Sequence, residues 1–298
     1  FETLGNVDGK IYEPHVLVRE AVRGNLVDGT PCGYVVELTQ DGPIVHALDQ
    51  MDSVPLLVGY GSLLDPAELA CNTEEGDLRN LLDFEAKSAL AEEKGIIEKI
   101  SYAEISGLEL RFDRVPTLER YGHTQEERNF FTVLNSEPKK GANAPVVIFD
   151  PADLTENPLD YFAHENYDET EYARRRIEPE QIKIFGDSKL SLDKGVWVLD
   201  SPLITDVEGD LEVIIPNPSA KISERYMHMI TNGLAGAEQA VPGFAKKYVE
   251  SVIQANGQPL SENDEFIEVL EQKLPVGTLS YFGKNPIPDR ASSGHFEA

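Results

Sequence analysis

The clearest pattern along the chain is a short apolar run that ends in a glycine-rich turn. Residues 55–58 read Pro-Leu-Leu-Val, and residues 59–62 continue as Gly-Tyr-Gly-Ser. A run of this length is typical of a buried strand. Asp65-Pro66 follows, and an acidic residue before proline is typical of a helix start. The pattern predicts a strand, a tight loop and a helix in that order.

Apolar periodicity predicts the other elements. Strands are predicted at residues 33–38, 105–112, 129–134, 146–149, 172–177 and 195–199, with a turn at 41–43. Helical spacing is predicted over residues 65–93, with breaks near Asn72 and Gly76, and around 223–231, 237–255 and 263–273. Asp150 before Pro151 indicates one more helix start. Strands therefore dominate the middle of the chain and helices its last third, which predicts a mixed α/β fold.

Composition fits a folded globular protein with an unusually acidic surface. The chain has 298 residues, of which 41% are hydrophobic, enough for one large domain or two modest ones. Asp and Glu number 53 against 26 Lys and Arg, for a formal net charge of −27. Such a charge repels nucleic acid and anionic membranes, so we expect neither as a partner. The acids are spread along the chain, as in halophilic proteins of a high-salt cytoplasm.

Cysteine content and hydropathy predict a compartment. Cys32 and Cys71 are the two cysteines, and neither lies in a C-x-x-C pair. Two cysteines form no disulfide framework, which favours a reducing setting. No apolar run is long enough to span a bilayer, and the first residues show no basic-then-apolar leader. We expect a soluble, cytoplasmic protein.

The glycine turn has a chemistry of its own. Successive backbone N–H groups in such a turn form a concave row that suits a carboxylate. No Lys-Ser or Lys-Thr follows, which excludes a P-loop, and Leu64 stands where a dinucleotide fingerprint has its third glycine. Ser62 does not lie in G-x-S-x-G, so a nucleophile elbow is unsupported. The alternative is a tight strand-to-helix turn that binds no ligand.

Several further segments follow the turn in an order that resembles a known family. They are residues 108–112, 129–135, 146–150, 159–165, 172–177 and 218–226, with Ile230 and Gly233 beyond. With Tyr60-Gly61-Ser62-Leu63, this set is similar to the γ-glutamylcyclotransferase-like family over residues 55 to 250. The resemblance implies an α+β fold, a mixed β-barrel-like γ-glutamylcyclotransferase fold with a helical C-terminal part. It divides the chain into an N-terminal extension of strands and turns (1–50), the family domain (51–255) and a C-terminal helix and tail (256–298).

The resemblance also implies a reaction and its residues. The family cyclises a γ-glutamyl amine or peptide to 5-oxoproline and releases the amine, without metal or cofactor. Glu165 is implied as general acid/base. The implied substrate-binding residues are Tyr60, Gly61, Ser62, Leu63, Tyr172 and Tyr226. The expected partner is a small γ-glutamyl substrate, and the sequence indicates no oligomeric state.

Alternatives remain open at each of these positions. Glu169 and Glu171 lie close enough to Tyr172 to be taken for the base. Tyr172 and Tyr226 are also interpretable as packing residues with the hydroxyl at the surface. Ala144-Pro145 departs from the family, which usually has glycine before its Val-Val-x-Phe strand. A non-catalytic small-ligand-binding or scaffold protein on the same fold is the main rival function. An amine-conjugate deacylase is a third.

Two other clusters have simpler interpretations. No His or Cys pair has zinc-ligand spacing, so no metal site is predicted, and His164 merely precedes the candidate base. His228, between two methionines, is interpreted as a packing residue of a helix. Residues 174–176 are three arginines whose side chains alternate across a strand. They are expected to pair with acids, with Arg175 able to face a pocket.

Overall fold

The computed structural model describes a large part of the chain. The described residues are 6–7, 10–11, 34–47, 51, 53–71, 84–114, 131–156, 158, 173–200, 205–207, 210–212, 219 and 221–274. All structural statements below concern these residues.

One large sheet organises the described part of the chain. Its strands are β3 (Tyr34–Thr39), β4 (Gly42–Ala47), β5 (Leu56–Gly59), β6 (Ile100–Arg114), β7 (Phe131–Phe149), β8 (Ala173–Ile177), β9 (Ile182–Ile184), β10 (Val196–Asp200), β13 (Lys221–Ile222) and β14 (Ile253–Gln254). Two small hairpins lie outside it, β1 (Asn6–Val7) with β2 (Lys10–Ile11), and β11 (Thr205–Val207) with β12 (Asp210–Glu212).

The sheet is mixed and curled into a half barrel. Its main path runs β14-β6-β7-β5-β10-β8-β3-β4, with β13 beside β7 and β9 beside β6. Strand β5 lies in the middle, antiparallel to β7 and parallel to β10. The Ser136 hydroxyl of β7 donates to the Leu199 carbonyl of β10 over 2.8 Å. The long β6–β7 ribbon therefore bends past the end of β5 and touches β10, and the mixed α+β fold class is confirmed.

The helices follow or flank the sheet. They are α1 (Pro66–Cys71), α2 (Phe84–Glu93), α3 (Pro151–Leu154), α4 (Glu224–Ala240), α5 (Phe244–Ser251) and α6 (Asp264–Lys273). Caps fix where several of them begin. Asp150 accepts from the Ala152 amide at α3, Ser223 from the Tyr226 amide at α4, and Asn263 from the Phe266 amide at α6.

The core explains why β5 is so apolar. All four β5 residues are buried, because the strand has neighbours on both edges and packing on both faces. Val147 packs beside it in register with Gly59, while Tyr102 of β6 stacks edge-to-face on Phe244 of α5. Such burial on both faces gives a continuous apolar run in the sequence, as residues 55–58 indicated.

Most predicted elements are confirmed, and several boundaries are wrong. The separate strands predicted at 129–134 and 146–149 belong to one strand, β7, whose exposed residues 138–141 lie at a register shift in its pairing with β6. The helix predicted at 223–231 continues to Ala240. The one predicted at 237–255 begins only at Phe244, after a left-handed Gly243 with φ 88°, and ends at Ser251, because residues 253–254 form β14. The division into three segments stays a prediction, although β3 of the N-terminal segment pairs with β8.

Candidate active site

The glycine loop forms where β5 leaves the sheet. At Gly59, an added Cβ would lie 2.9 Å from Leu63 Cβ and 2.9 Å from Val147 Cγ2. Contacts this short essentially never occur between real side chains, so only glycine lets the chain fold back on itself here. The loop therefore packs against Val147 of β7, with Leu63 folded back onto Gly59.

The second glycine of the loop faces a tyrosine from helix α4. An added Cβ at Gly61 would lie 2.4 Å from the Tyr226 Oη. Gly61 has φ −112°, so space against the hydroxyl, rather than a left-handed backbone, is what requires glycine. The structure therefore brings together two predicted site residues that lie 165 positions apart in the sequence (226 − 61).

A row of backbone amides follows Gly61. Residues Ser62–Leu64 form one 3-10 turn, in which the Leu64 amide donates to the Gly61 carbonyl and the Asp65 amide to the Ser62 carbonyl, each over 3.0 Å. Among the described residues, the Ser62 and Leu63 amides have no backbone acceptor. Both residues are partly exposed. This part of the loop has donors to offer to an anionic group.

Tyr60 anchors the loop rather than pointing away from the protein. Its hydroxyl donates to the Leu199 carbonyl over 3.1 Å, and its own carbonyl accepts from the Tyr248 hydroxyl over 2.7 Å. Tyr248 lies on α5 and is fully buried, and burial first, then the nearby Tyr226 and Tyr60, raise the pKa of its phenol well above the ordinary value. Sequence reasoning missed Tyr248, since a tyrosine in an amphipathic helix carries no signal of a loop contact.

Tyr226 has a defined environment on its helix. It lies in the first turn of α4, where its amide is bonded to the Ser223 side chain over 3.3 Å. Its ring meets the ring of Phe112 edge-on, with centroids 6.1 Å apart. Because β6 residues alternate between faces, Phe112 belongs to the apolar face with Leu110 and Leu108. The predicted pocket hydroxyl thus lies between the glycine loop and the apolar face of the curled ribbon.

The predicted base lies outside the described residues. Glu165 and Tyr172 both lie outside the described residues, and so do the competing candidates Glu169 and Glu171. The segment that contains them is bounded by α3 and β8. At its start, the Lys194 ammonium donates to Asp150, the residue that caps α3. The roles of Glu165 and Tyr172 stay predictions.

A buried polar cluster lies directly behind the loop. Asp65 caps α1 by accepting from the Ala67 amide over 3.0 Å, as the sequence predicted for a helix start. Glu68, one turn later, pairs with Lys87 of α2 over 2.6 Å, and all three charged side chains are buried. Burial, opposed by the Ala67 amide, raises the pKa of Asp65 to about 6. No sequence pattern marked Asp65 as more than a cap.

A second charged cluster lies on the other face of the ribbon. Arg111 donates to Glu109 over 2.9 Å and to Asp113 over 2.6 Å, and Lys139 donates to the second oxygen of Glu109. Burial alone would raise the pKa of Glu109, but the hydrogen bonds from Lys139 and Arg111 lower it. Both carboxylates are nearly fully buried. The cluster is internally paired and holds the ribbon together.

The remaining expectations have mixed outcomes. His228 is exposed, so its interpretation as a packing residue is wrong. Along β8, Arg174 is buried, Arg175 is partly exposed and Arg176 is exposed. In the part of the chain that the structure describes, no group of three His, Cys, Asp or Glu side chains converges as metal ligands would. No helix among the described residues is long and apolar enough to cross a membrane.

Comparisons with known proteins give structural likeness only. No family model matches the chain, and no curated protein matches it significantly in sequence. A solved structure described as a gamma-glutamyl cyclotransferase matches with a TM-score of 0.33 and 14% identity, over 73% of this chain and 98% of that one. A Homo sapiens protein described as uncharacterized matches with a TM-score of 0.31 and 14% identity, over 72% of this chain and 97% of that one. At these TM-scores the likeness carries no argument about function, which is argued below from the residues.

Proposed function

We propose that this chain is a γ-glutamylcyclotransferase-type enzyme, which cyclises a γ-glutamyl amine or peptide to 5-oxoproline and releases the amine. The observation that carries the proposal is the loop itself. The Tyr226 hydroxyl contacts Gly61, and the adjacent Ser62 and Leu63 amides have no backbone acceptor among the described residues. Hydroxyl and amide donors side by side suit the α-carboxylate of a γ-glutamyl group.

The acidic surface makes local recognition of that carboxylate necessary. A chain with a net charge of −27 does not attract an anion at long range. Fixed backbone dipoles in such a loop bind a carboxylate without any cationic side chain. In this proposal the amides hold the α-carboxylate, and the Ser62 hydroxyl adds one further donor.

The reaction needs curling of the substrate and one proton acceptor. The substrate's α-amine attacks its own γ-carbonyl, so a C–N bond closes the five-membered ring while the bond to the leaving amine breaks. Holding the chain curled is worth roughly 7–11 kcal/mol in well-oriented intramolecular reactions. A carboxylate that takes the ammonium proton and returns it to the leaving nitrogen typically adds about 10²–10⁴-fold. We assign this acid/base role to Glu165, on the family resemblance of its segment.

The test is a substrate panel. The protein is incubated in buffered KCl of high concentration with γ-glutamyl amines and peptides, glutathione among them, and 5-oxoproline is followed by mass spectrometry. The proposal expects release from at least one compound, in equal amounts with the free amine. A folded protein that releases no 5-oxoproline but binds a panel compound, by calorimetry, would support the binding-protein alternative instead.

A further inference from the structure

A buried carboxylate at the end of α4 connects this helix to α5. Glu238 lies in the last turn of α4 and is only 6% exposed. Its Oε1 accepts from the Gly243 amide over 2.7 Å, and its Oε2 accepts from the Ala245 amide over 2.9 Å. Both amides lie at the start of α5, where a helix has no acceptors of its own for its N–H groups. One side chain of α4 therefore caps the next helix.

This cap needs a carboxylate. A carboxylate accepts on both oxygens, whereas the side chain of glutamine has one oxygen and an NH₂ group that only donates. The negative charge of Glu238 also lies at the positive end of the α5 dipole. Hydrogen bonds to an ionised acceptor are stronger than those between neutral groups. A glutamine at position 238 therefore leaves one buried amide without its acceptor.

Helix α5 carries the hydroxyl that binds the glycine loop from behind. Tyr248 is fully buried, and its hydroxyl donates to the Tyr60 carbonyl over 2.7 Å. Phe244 lies one turn earlier on the same side of α5 and packs edge-on against Tyr102 of β6, with ring centroids 5.4 Å apart. The position of the first turn of α5 therefore determines where Tyr248 meets the loop.

The Tyr60 carbonyl belongs to the peptide group that leads into Gly61. Because a peptide group is planar, the direction of this carbonyl also fixes the direction of the Gly61 amide. The Tyr226 hydroxyl of α4 occupies the space where a side chain of Gly61 would lie. The Tyr60–Gly61 peptide is thus in contact with two tyrosines, one from each helix. We call this peptide, together with Tyr226 and Tyr248, the clamp.

The two helices of the clamp meet at Glu238. Tyr226 lies in the first turn of α4 and Glu238 in its last, so the cap determines how α5 leaves the helix that carries Tyr226. We propose that Glu238 is a positioning residue: by capping α5 it places Tyr248, and thereby orients the Ser62 and Leu63 amides toward the substrate. Glu238 acts through α5. The substrate part of this inference rests on the proposed function, whereas the clamp itself does not.

Hydrogen exchange of the whole protein, at one pH and for single amides, tests the clamp without substrate. The cap amides are those of Gly243 and Ala245, and the turn amides are those of Leu64 and Asp65, which close the 3-10 turn of the loop. In Glu238→Gln the cap amides should exchange about tenfold faster, the effect of one charge-assisted hydrogen bond. The turn amides should also exchange faster, because Tyr248 no longer holds the loop in place.

A matched control lies on the same helix. Glu250→Gln removes an exposed carboxylate of α5, which lies 3.7 Å from the Lys246 ammonium. Exposed pairs of this kind contribute little to stability. This variant should exchange like the unchanged protein at both sets of amides. Glu238→Gln keeps one of its two hydrogen bonds, so it is a milder change than Glu238→Ala and is expected to fold.

A double variant shows whether the effect passes through Tyr248. Tyr248→Phe alone removes the bond to the Tyr60 carbonyl, so the turn amides should exchange faster while the cap amides stay protected. Adding Glu238→Gln should expose the cap amides without a further change at the turn amides. Unchanged turn amides in Glu238→Gln, or fully additive effects of the two changes at the turn amides, would overturn the proposal.

Kinetics connect the clamp to the substrate. With an active panel compound, Glu238→Gln should raise KM about fivefold, the effect of one ordinary hydrogen bond, and change kcat little. Amides that bind a carboxylate act alike on the bound substrate and on the transition state, so their loss appears in KM. Glu250→Gln should leave both constants unchanged. An unchanged KM in Glu238→Gln would refute the substrate part alone. Absence of turnover in the unchanged protein would refute the proposed function, while exchange still decides the clamp.

Discussion

Replacing Asp65 by Asn should stabilise the fold relative to the wild type by an amount that grows as the pH rises. The pKa of Asp65 is raised from 3.8 to about 6, with burial as the largest cause. A raised carboxyl pKa means that the folded state holds the proton more tightly than the unfolded chain does. Stability of the wild type is therefore lost as the pH rises from about 4 through 6, and the loss is complete above the folded pKa.

The size of this loss follows from the shift. About two pH units at 1.36 kcal/mol each give about 3 kcal/mol for a side chain that is almost fully buried. The amide introduced at position 65 does not ionise, so the unfolding free energy of the variant does not fall as the pH rises through 6.

Urea unfolding of both proteins at pH 4.5 and pH 8 measures the effect. The difference in unfolding free energy, variant minus wild type, should grow by about 2–3 kcal/mol between the two pH values. Asp187→Asn, which removes an exposed acid, should show no such growth. A difference that stays constant or shrinks with rising pH would refute the assignment.

Three further predictions concern the loop and the ribbon. Gly61→Ala places a Cβ 2.4 Å from the Tyr226 hydroxyl, so it should cost about 1–3 kcal/mol in denaturant unfolding and weaken substrate binding. Adding Tyr226→Phe should recover most of that stability in a double-mutant cycle, and strict additivity would speak against the contact. Tyr248→Phe leaves the buried Tyr60 carbonyl without its donor and should cost about 1–3 kcal/mol, measured by urea unfolding. Arg111→Met removes one hydrogen bond from each of two buried carboxylates, Glu109 and Asp113, and should cost about 1–3 kcal/mol, and a neutral result would contradict the pairing.

The glycine loop and the helix that follows it, α1, were predictable from the sequence because the residues that indicate them are neighbours in the chain. An apolar run followed by Gly-Tyr-Gly-Ser indicates a strand and a turn by itself, and Asp65-Pro66 marks the cap. The family resemblance implied Tyr226 as a substrate-binding residue, but no sequence pattern indicated its contact with Gly61. Nothing in the spacing of residues shows which helix will pack on a loop.

The parts that sequence reasoning missed depend on contacts between distant segments. Tyr248 bonds to the Tyr60 carbonyl 188 positions away, and Lys273 bonds to Asn232 of another helix, yet each of these residues looks ordinary in its own surroundings. Strand β7 was divided in the prediction because its exposed middle residues interrupt the apolar pattern that marks a strand. His228 was misread because its two methionine neighbours suggested burial, although it lies on the open side of α4.

We propose that a carboxylate in the segment between α3 and β8 drives cyclisation. The most direct measurement compares 5-oxoproline release by the unchanged protein with that by Glu165→Gln, with Glu169→Gln and Glu171→Gln as matched controls on the same segment. Release should fall by about 10²-fold or more in Glu165→Gln alone, with all proteins equally folded by circular dichroism. Near-normal release by a folded Glu165→Gln, or an equal loss in either control, would contradict it.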